Sequence, residues 1–300
     1  MVDVIEVAGL SKRFGPVEAV HDLSFGVREG TVTAFLGPNG SGKTTTLRML
    51  LGLVAPSAGT ATIGRRPYRE LSEPIRHVGA VLESSGFHPA RRARDHLRVL
   101  ATAAGLPARR VDEVLAQVGL AEAADRRVKG FSLGMRQRLG LATALLGQPR
   151  VLILDEPTNG LDPEGVHWLR QFMRAFADRG GTVLVSSHLL AEVALSVDDV
   201  VIIARGRLVL QSSLDDLARQ TGSAVRIRTP QPDALRRALH AAGIATETRD
   251  ADTLVALETT PEAVGIAAAR AGAVIFEMSQ ERFDLEDLFL ELTTTQGARK

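Results

Sequence analysis

The stretch GPNGSGKTT, Gly37 to Thr45, decides the fold. It follows TVTAFL (Thr31–Leu36), a short apolar run that reads as a strand, and it precedes TTTLRMLLGL, which reads as a helix. The pattern G-x-x-x-x-G-K-S/T needs this strand–loop–helix setting. Glycines let the backbone fold around phosphates with its N–H groups pointing inward. Lys43 then serves as a point charge for the β- and γ-phosphates, and the Thr44 hydroxyl is placed for Mg²⁺. The expectation is a nucleoside triphosphate site built from Gly37, Pro38, Asn39, Gly40, Ser41, Gly42, Lys43, Thr44 and Thr45.

Working outward, VLILDEP (Val151–Pro157) puts two carboxylates at the end of a second buried strand. An Asp-Glu pair after a strand is usually only the start of a polar loop. With a phosphate loop upstream, Asp155 suits Mg²⁺ and Glu156 suits the orienting or deprotonating of an attacking water. TVLVSSH brings His188 to the end of a third such strand. Continuous apolar runs of this kind mark parallel strands buried on both faces, which place ligands outside their carboxyl ends. His188 is therefore expected near the γ-phosphate.

Another stretch, KGFSLGMRQRLGLATALL (Lys129–Leu146), has a helical repeat from Met135 onward, with Ser132, Gly134 and Arg136 near its start. A helix N-terminus with free N–H groups favours an anion. Yet the segment has no acid, base or metal ligand of its own.

The rest of the chain bounds the answer. Its 300 residues favour two domains, and 45% hydrophobic with 24% charged residues is an ordinary globular balance. The net charge of +1 shows no bulk pull toward nucleic acid or anionic lipid. With no cysteine, disulfides, thiolate metal sites and a cysteine nucleophile are excluded. No signal peptide is evident, and no apolar run approaches the roughly 18 residues a membrane span needs. A soluble chain is expected, one that acts at a membrane only through a partner. Lysine is scarce, at Lys12, Lys43, Lys129 and Lys300.

Antiparallel strands are expected over 4–27, a turn-rich segment over 55–67, a strand over 76–83, and helices over 94–106, 111–120 and from 135. Past Thr221 the pattern becomes a compact α+β unit, ferredoxin-like, closing with the helix DLEDLFLEL. A boundary near Gly222 divides residues 1–221 from an accessory domain at 222–300, and the helical insert covers about 86–148.

The order of phosphate loop, helical insert, Ser-x-Gly segment, Asp-Glu strand end, NGLDP and strand-end His resembles the ATP-binding subunit of an ABC transporter, over about residues 2–220. The resemblance implies an α/β fold of the P-loop NTPase (ABC ATPase) type with an antiparallel β subdomain. It identifies the Lys129–Leu146 stretch as the signature motif, which faces ATP held by a second subunit. Ser132 and the N–H of Gly134 would contact that phosphate, and Asp162 matches the loop that communicates across the interface. Phe14 falls where the family places an aromatic against adenine, although a core role fits that residue too.

Two departures stand out. The signature reads Phe131-Ser132-Leu133-Gly134-Met135 where the family has Leu-Ser-Gly-Gly-Gln, and Glu83 replaces a glutamine near Mg²⁺. Together with GFHPARRARDHL and LEDLFLELT, they resemble drug- and antibiotic-resistance exporters of the daunorubicin and bacitracin type. The implied function is an ATPase that dimerises around two Mg-ATP to power export through separate membrane permease subunits. Its implied location is the cytoplasmic face of the cell membrane, with no nucleic-acid partner. The alternatives are a soluble ABC ATPase acting on ribosomes or nucleic acid, or an importer ATPase with a ligand-sensing C-terminal domain. The first would carry two ATPase units or a long coiled coil, and the second would bind a metabolite past Ser223.

Overall fold

The computed structural model describes residues 3–82, 86–189, 194–220 and 224–281. Glu83, Gly222 and the stretch 284–292 that reads as a closing helix lie outside these. The chain divides into two compact units, with the division between Ser212 and Ser213.

In the first unit, β1 (Asp3–Phe14) and β2 (Val17–Arg28) pair antiparallel, in line with the strands expected over 4–27. The strand β3 (Val32–Leu36) leads through the glycine loop into helix α1 (Lys43–Leu50). A strand β4 (Ala58–Ile63) then pairs with the free side of β1, giving the order β2-β1-β4. The sequence of β4, AGTATI, reads as a turn, because on this edge only Ile63 is fully buried and no apolar alternation is needed. The strand β5 (Val78–Val81) is shorter than the 76–83 expected. Pro74 opens a tight 3-10 turn through Arg76, so the strand starts late.

The helical insert comprises α2 (Ala93–Ala103), α3 (Arg109–Gln117) and α4 (Leu133–Leu145). The helix α4 is more deeply packed than an amphipathic repeat implies: Leu139 through Ala142 are all buried in succession. Its C-terminal carbonyls are met by Arg110, whose guanidinium donates to the carbonyls of Leu145 (2.9 Å) and Leu146 (3.1 Å). That contact satisfies two acceptors that a helix end leaves open.

Next come β6 (Val151–Asp155), α5 (Pro163–Ala177), β7 (Thr182–Ser187), β8 (Asp199–Ala204) and β9 (Arg207–Ser213). The large sheet has the order β5-β6-β7-β3-β8-β9, and the pairs from β5 through to β8 are parallel. Every residue of β3, β6 and β7 is buried, as their continuous apolar runs predict, and so is every residue of β8. β9 was not anticipated; its residues are exposed or half-buried, so it lacks an apolar run. Ile5, Leu10, Leu23 and Val27 of the small sheet form one core with Phe35, Leu47, Leu50, Ile153 and Leu184. Phe25 and Phe35 stack inside it with ring centroids 5.1 Å apart. This order sets β7 between β3 and β6, so three strand ends, Leu36, Asp155 and Ser187, open on one edge.

The second unit begins with α6 (Leu214–Gln220) and continues as β10 (Ala224–Arg228), α7 (Pro232–Ala241), β11 (Thr246–Thr248), β12 (Thr253–Ala256), α8 (Pro261–Ala271) and β13 (Glu277–Glu281). From β10 on, this is the β-α-β-β-α-β order of the ferredoxin-like unit, with antiparallel sheet order β11-β12-β10-β13. Val225, Ile227, Leu235, Leu239, Leu254 and Val264 fill its core. The apolar run AVIFEM (residues 273–278) overlaps the last strand only at its end. Ala273 and Ile275 pack onto the core from outside the ladder, while pairing with β10 starts only at Glu277.

Phe35 is fully buried one residue before Leu36 ends its strand. Phe35→Ala is expected to destabilise the first unit by about 3–5 kcal/mol. The readout is urea unfolding followed by fluorescence of Trp168, the one tryptophan in the chain.

Candidate functional site

The loop after β3 is shaped by what crowds it. Gly40 (φ +79°) and Gly42 (φ +104°) hold left-handed backbone. A Cβ on Gly42 would lie 2.6 Å from the Ala19 carbonyl oxygen, and one on Gly37 would lie 2.5 Å from that of Ile203. Only glycine fits between those two backbones. The Gly206 N–H donates to the Ser41 carbonyl at 2.9 Å and ties the loop to the turn after β8. Gly42 caps α1 without a side chain, so the first N–H groups of that helix stay available to an anion.

Lys43 is only 6% exposed, and its ammonium donates to the carbonyls of Gly37 (2.6 Å) and Pro38 (3.4 Å). It also lies 3.2 Å from Oε1 of Glu156. That ion pair lacks hydrogen-bond alignment, which leaves Oε1 buried with no hydrogen-bond partner. The other oxygen, Oε2, is 2.8 Å from Nδ1 of His188. One carboxylate thus sits between an ammonium and an imidazole. Glu156 itself has φ +47°, a left-handed conformation that costs a non-glycine residue about 1–3 kcal/mol. Such strain gathers where a side chain must be aimed, and here it points the carboxylate at Lys43.

Asp155 is held differently. Its Oδ2 accepts from the Thr44 hydroxyl at 2.8 Å and its Oδ1 from the Ser186 hydroxyl at 2.5 Å. The Ser186 oxygen in turn accepts from the Glu156 N–H at 2.9 Å. Ser186 therefore fixes both acidic residues from the intervening strand. It was not singled out in the sequence, although a hydroxyl in a fully buried run two residues before His188 is a usable signal. A cavity of about 400 Å³ opens here, lined among others by Asn39, Lys43, Thr44, Glu156, Asn159 and His188. Asn159, from the NGLDP segment, was also missed.

Ser132, Gly134 and Asp162 lie elsewhere in the same unit. They line a second cavity of about 610 Å³, and none of them lines the first. Ser132 caps α4, its Oγ accepting from the Met135 N–H at 3.2 Å. Asp162 caps α5, its Oδ1 accepting from the Gly165 N–H at 2.8 Å. Arg136 is turned back to donate to the Phe131 carbonyl at 3.0 Å. Leu133 packs over the NGLDP turn: a Cβ on Gly160 would lie 2.3 Å from its Cδ2. Leu161 closes the contact from the other side, with its Cδ2 3.6 Å from where a Gly134 Cβ would be. Deeper in, the Arg138 guanidinium lies 4.2 Å from the centre of the Trp168 ring.

Phe14, at the end of β1, is half exposed, with the Lys12 ammonium 4.9 Å from its ring centre. It is free of the core and does not line the first cavity. Glu83, the remaining metal-site expectation, lies outside the described residues.

The chain is similar to known proteins in sequence and in fold. A family model described as ABC transporter matches residues 20–159, and one described as a domain of unknown function matches 223–286. The uncharacterised ABC transporter ATP-binding protein YhcH of Bacillus subtilis is 37% identical over 98% of this chain and 97% of its own length. The bacitracin transport ATP-binding protein BcrA of Bacillus licheniformis is 42% identical over 73% of each chain. Among solved structures, an ATP-binding subunit of an ABC transporter superposes with a TM-score of 0.65 at 32% identity, covering 72% of this chain and 92% of its own. A buried lysine on a glycine loop, paired acids at a strand end and this similarity along nearly the whole chain give one conclusion. The chain belongs to the ATP-binding proteins of ABC transporters, whose chemistry is the binding and hydrolysis of ATP.

Proposed function

We propose that two copies of this chain close around two ATP molecules and so power export by membrane permease subunits at the cytoplasmic face of the cell membrane. The observation that carries the reading is the split between cavities. Lys43, Thr44, Glu156 and His188 line one, with Asp155 bonded to Thr44 beside it, while Ser132, Gly134 and Asp162 line another in the same chain. A phosphate held in the first cavity is completed by the second cavity of a partner copy. Residues 1–221 form the ATPase and 222–300 an accessory domain. Phe14, exposed beside Lys12, stacks on the adenine.

The residue roles follow from their contacts. A phosphate oxygen competes with Glu156 for the Lys43 ammonium, and once Lys43 is engaged the carboxylate is free to take a proton from water. His188, hydrogen-bonded to the same carboxylate, holds it in place and faces the terminal phosphate. The Thr44 hydroxyl and the Asp155 carboxylate are hard oxygen donors 2.8 Å apart, a donor set that fits Mg²⁺ with several of its waters retained. Bound there, the metal would neutralise charge on the β- and γ-phosphates; Glu83 is the further candidate ligand. Export of a drug, antibiotic or lipid-like substrate is supported by the 42% identity to the bacitracin transport protein. ATP-driven closure does work only because ATP contacts the open and closed forms differently.

The test is Glu156→Gln, weighed by light scattering with and without Mg-ATP. The expected result is retained ATP binding, hydrolysis slowed at least roughly a hundredfold, and an ATP-dependent doubling of mass. Loss of ATP binding, or unchanged hydrolysis, overturns the assignment.

The Leu133–Gly160 contact generates a second prediction. Leu133→Ala should lower ATPase kcat several-fold while ATP affinity of the single subunit stays constant, and Leu133→Met should restore it. Gly160→Ala alone strains the backbone and clashes with Leu133, whereas the double variant Leu133→Ala/Gly160→Ala removes the clash and keeps only the strain. A double-mutant cycle in kcat should therefore be clearly non-additive; additive losses would show that the contact does not position Ser132 and Gly134.

A further inference from the structure

The amino ends of the large sheet carry a cavity that ATP chemistry leaves unused. It measures about 470 Å³ and lies where β5, β6 and β7 begin, against His77, Val151 and Thr182. It shares no lining residue with the cavity of Lys43 and Glu156 at the carboxyl ends of the same sheet, nor with the one lined by Ser132 and Asp162. No residue of the helical insert lines it. Five charged side chains and one imidazole do: Asp3, Glu29, Arg65, Arg66, Arg150 and His77. Among the described residues none of these six forms an ion pair. Just outside the cavity the pattern is different, with Arg69 3.8 Å from Glu70 and Arg76 3.2 Å from Glu73.

The backbone sets these cations in place without using their side chains. Arg65 and Arg66 come from the tight turn that ends β4, where the Ile63 N–H donates to the Arg66 carbonyl (2.8 Å) and the Arg66 N–H returns to that of Ile63 (3.2 Å). Both central residues of the turn are left-handed, Gly64 at φ +57° and Arg65 at φ +65°. Glycine is the unstrained choice at such a position, so an arginine there is held against its own preference. On the facing wall, the Arg150 N–H donates to the His77 carbonyl (3.2 Å), and the Arg150 carbonyl accepts from the Thr182 N–H (2.8 Å). Its backbone is thus pinned between the starts of β5 and β7, and its guanidinium is left to the cavity.

We propose that this cavity binds a phosphate monoester whose organic part carries hydroxyl groups, a ligand of the sugar-phosphate type. Guanidinium forks match phosphate oxygens in pairs, and three of them line one cavity. Its volume lies within the roughly 300–1,000 Å³ of small-molecule sites, so an inorganic phosphate would leave most of it empty. Asp3 and Glu29 line the same space, and an ionised carboxylate only accepts hydrogen bonds. The remainder of the ligand therefore has to bring donors, as hydroxyl groups do. Ile63 and Val151 add apolar surface for its carbon skeleton. His77 is the only ring in the lining, so a nucleobase finds no Phe, Tyr or Trp to stack on. The ligand is separate from the nucleotide and binds alongside it, at the opposite edge of the sheet.

The experiment is calorimetric titration of the full chain with glucose 6-phosphate, without nucleotide and with saturating ADP. Inorganic phosphate and glucose serve as the two partial probes. Wild type should bind glucose 6-phosphate once per chain with the same affinity in both conditions, inorganic phosphate more weakly, and glucose not measurably. Arg65→Gln/Arg66→Gln and Arg150→Gln should each weaken glucose 6-phosphate binding roughly tenfold or more while ADP affinity stays constant. Arg65→Gly suits the left-handed turn, so it should keep the fold and the ADP affinity and still lose binding. Arg69→Gln, a charge removed just outside the cavity, should change nothing. Displacement of glucose 6-phosphate by ADP would place it on the phosphate loop and overturn the proposal. Undiminished binding by the arginine variants, no binding by wild type, or equal binding of inorganic phosphate alone would overturn it as well. Loss of ADP binding in wild type would count against the nucleotide site and leave the result for this cavity standing.

Discussion

A buried ammonium has to be neutralised, and most of the site can be read from how Lys43 achieves this. At 6% exposure its charge is out of water, where an isolated ion costs several kcal/mol. Two loop carbonyls and the Glu156 carboxylate meet it, and they come from different strands. The sheet order is what makes them meet, because β3 and β6 are separated only by β7. From that middle strand Ser186 reaches the Asp155 carboxylate and the Glu156 N–H at once. Parallel strands buried on both faces, a crowded glycine loop and a strained Glu156 are thus parts of one electrostatic arrangement.

The same logic sets the two cavities of the first unit apart. Ser132 and Asp162 each cap a helix, so their side chains are already satisfied by local N–H groups. The caps orient the first turns of α4 and α5 into one cavity, and Leu133 locks those turns together through Gly160. The leucine that departs from the usual signature glycine is therefore not idle bulk. It fills space that a glycine on the facing turn leaves open.

Much of this was legible in the sequence, and the exceptions share a cause. Strand β3, the glycine loop, the Asp155-Glu156 pair and His188 were readable because buried parallel strands and phosphate loops impose composition directly. The β-α-β-β-α-β order of the second unit was readable from alternating periods. β4 and β9 were not, since edge strands with exposed faces need no apolar pattern. Ser186 bridging two acids, the left-handed Glu156 and the Leu133–Gly160 contact depend on neighbours brought together by the fold. The bridge between Arg92 and Arg127 is of the same kind: residues 90–94 and 125–129 are each an ordinary basic turn until the fold sets them side by side.

The left-handed backbone of Glu156 also bears on how copies of this chain would decay once released from selection. Glycine is the residue that φ +47° favours, so a drift toward stability pulls the position toward Gly. That drift is opposed while Lys43 stays buried, because removing the carboxylate leaves only the Gly37 and Pro38 carbonyls, and a phosphate when one is bound, to meet its charge. A relative that keeps the lysine and lacks the acid has found another counter-charge for it.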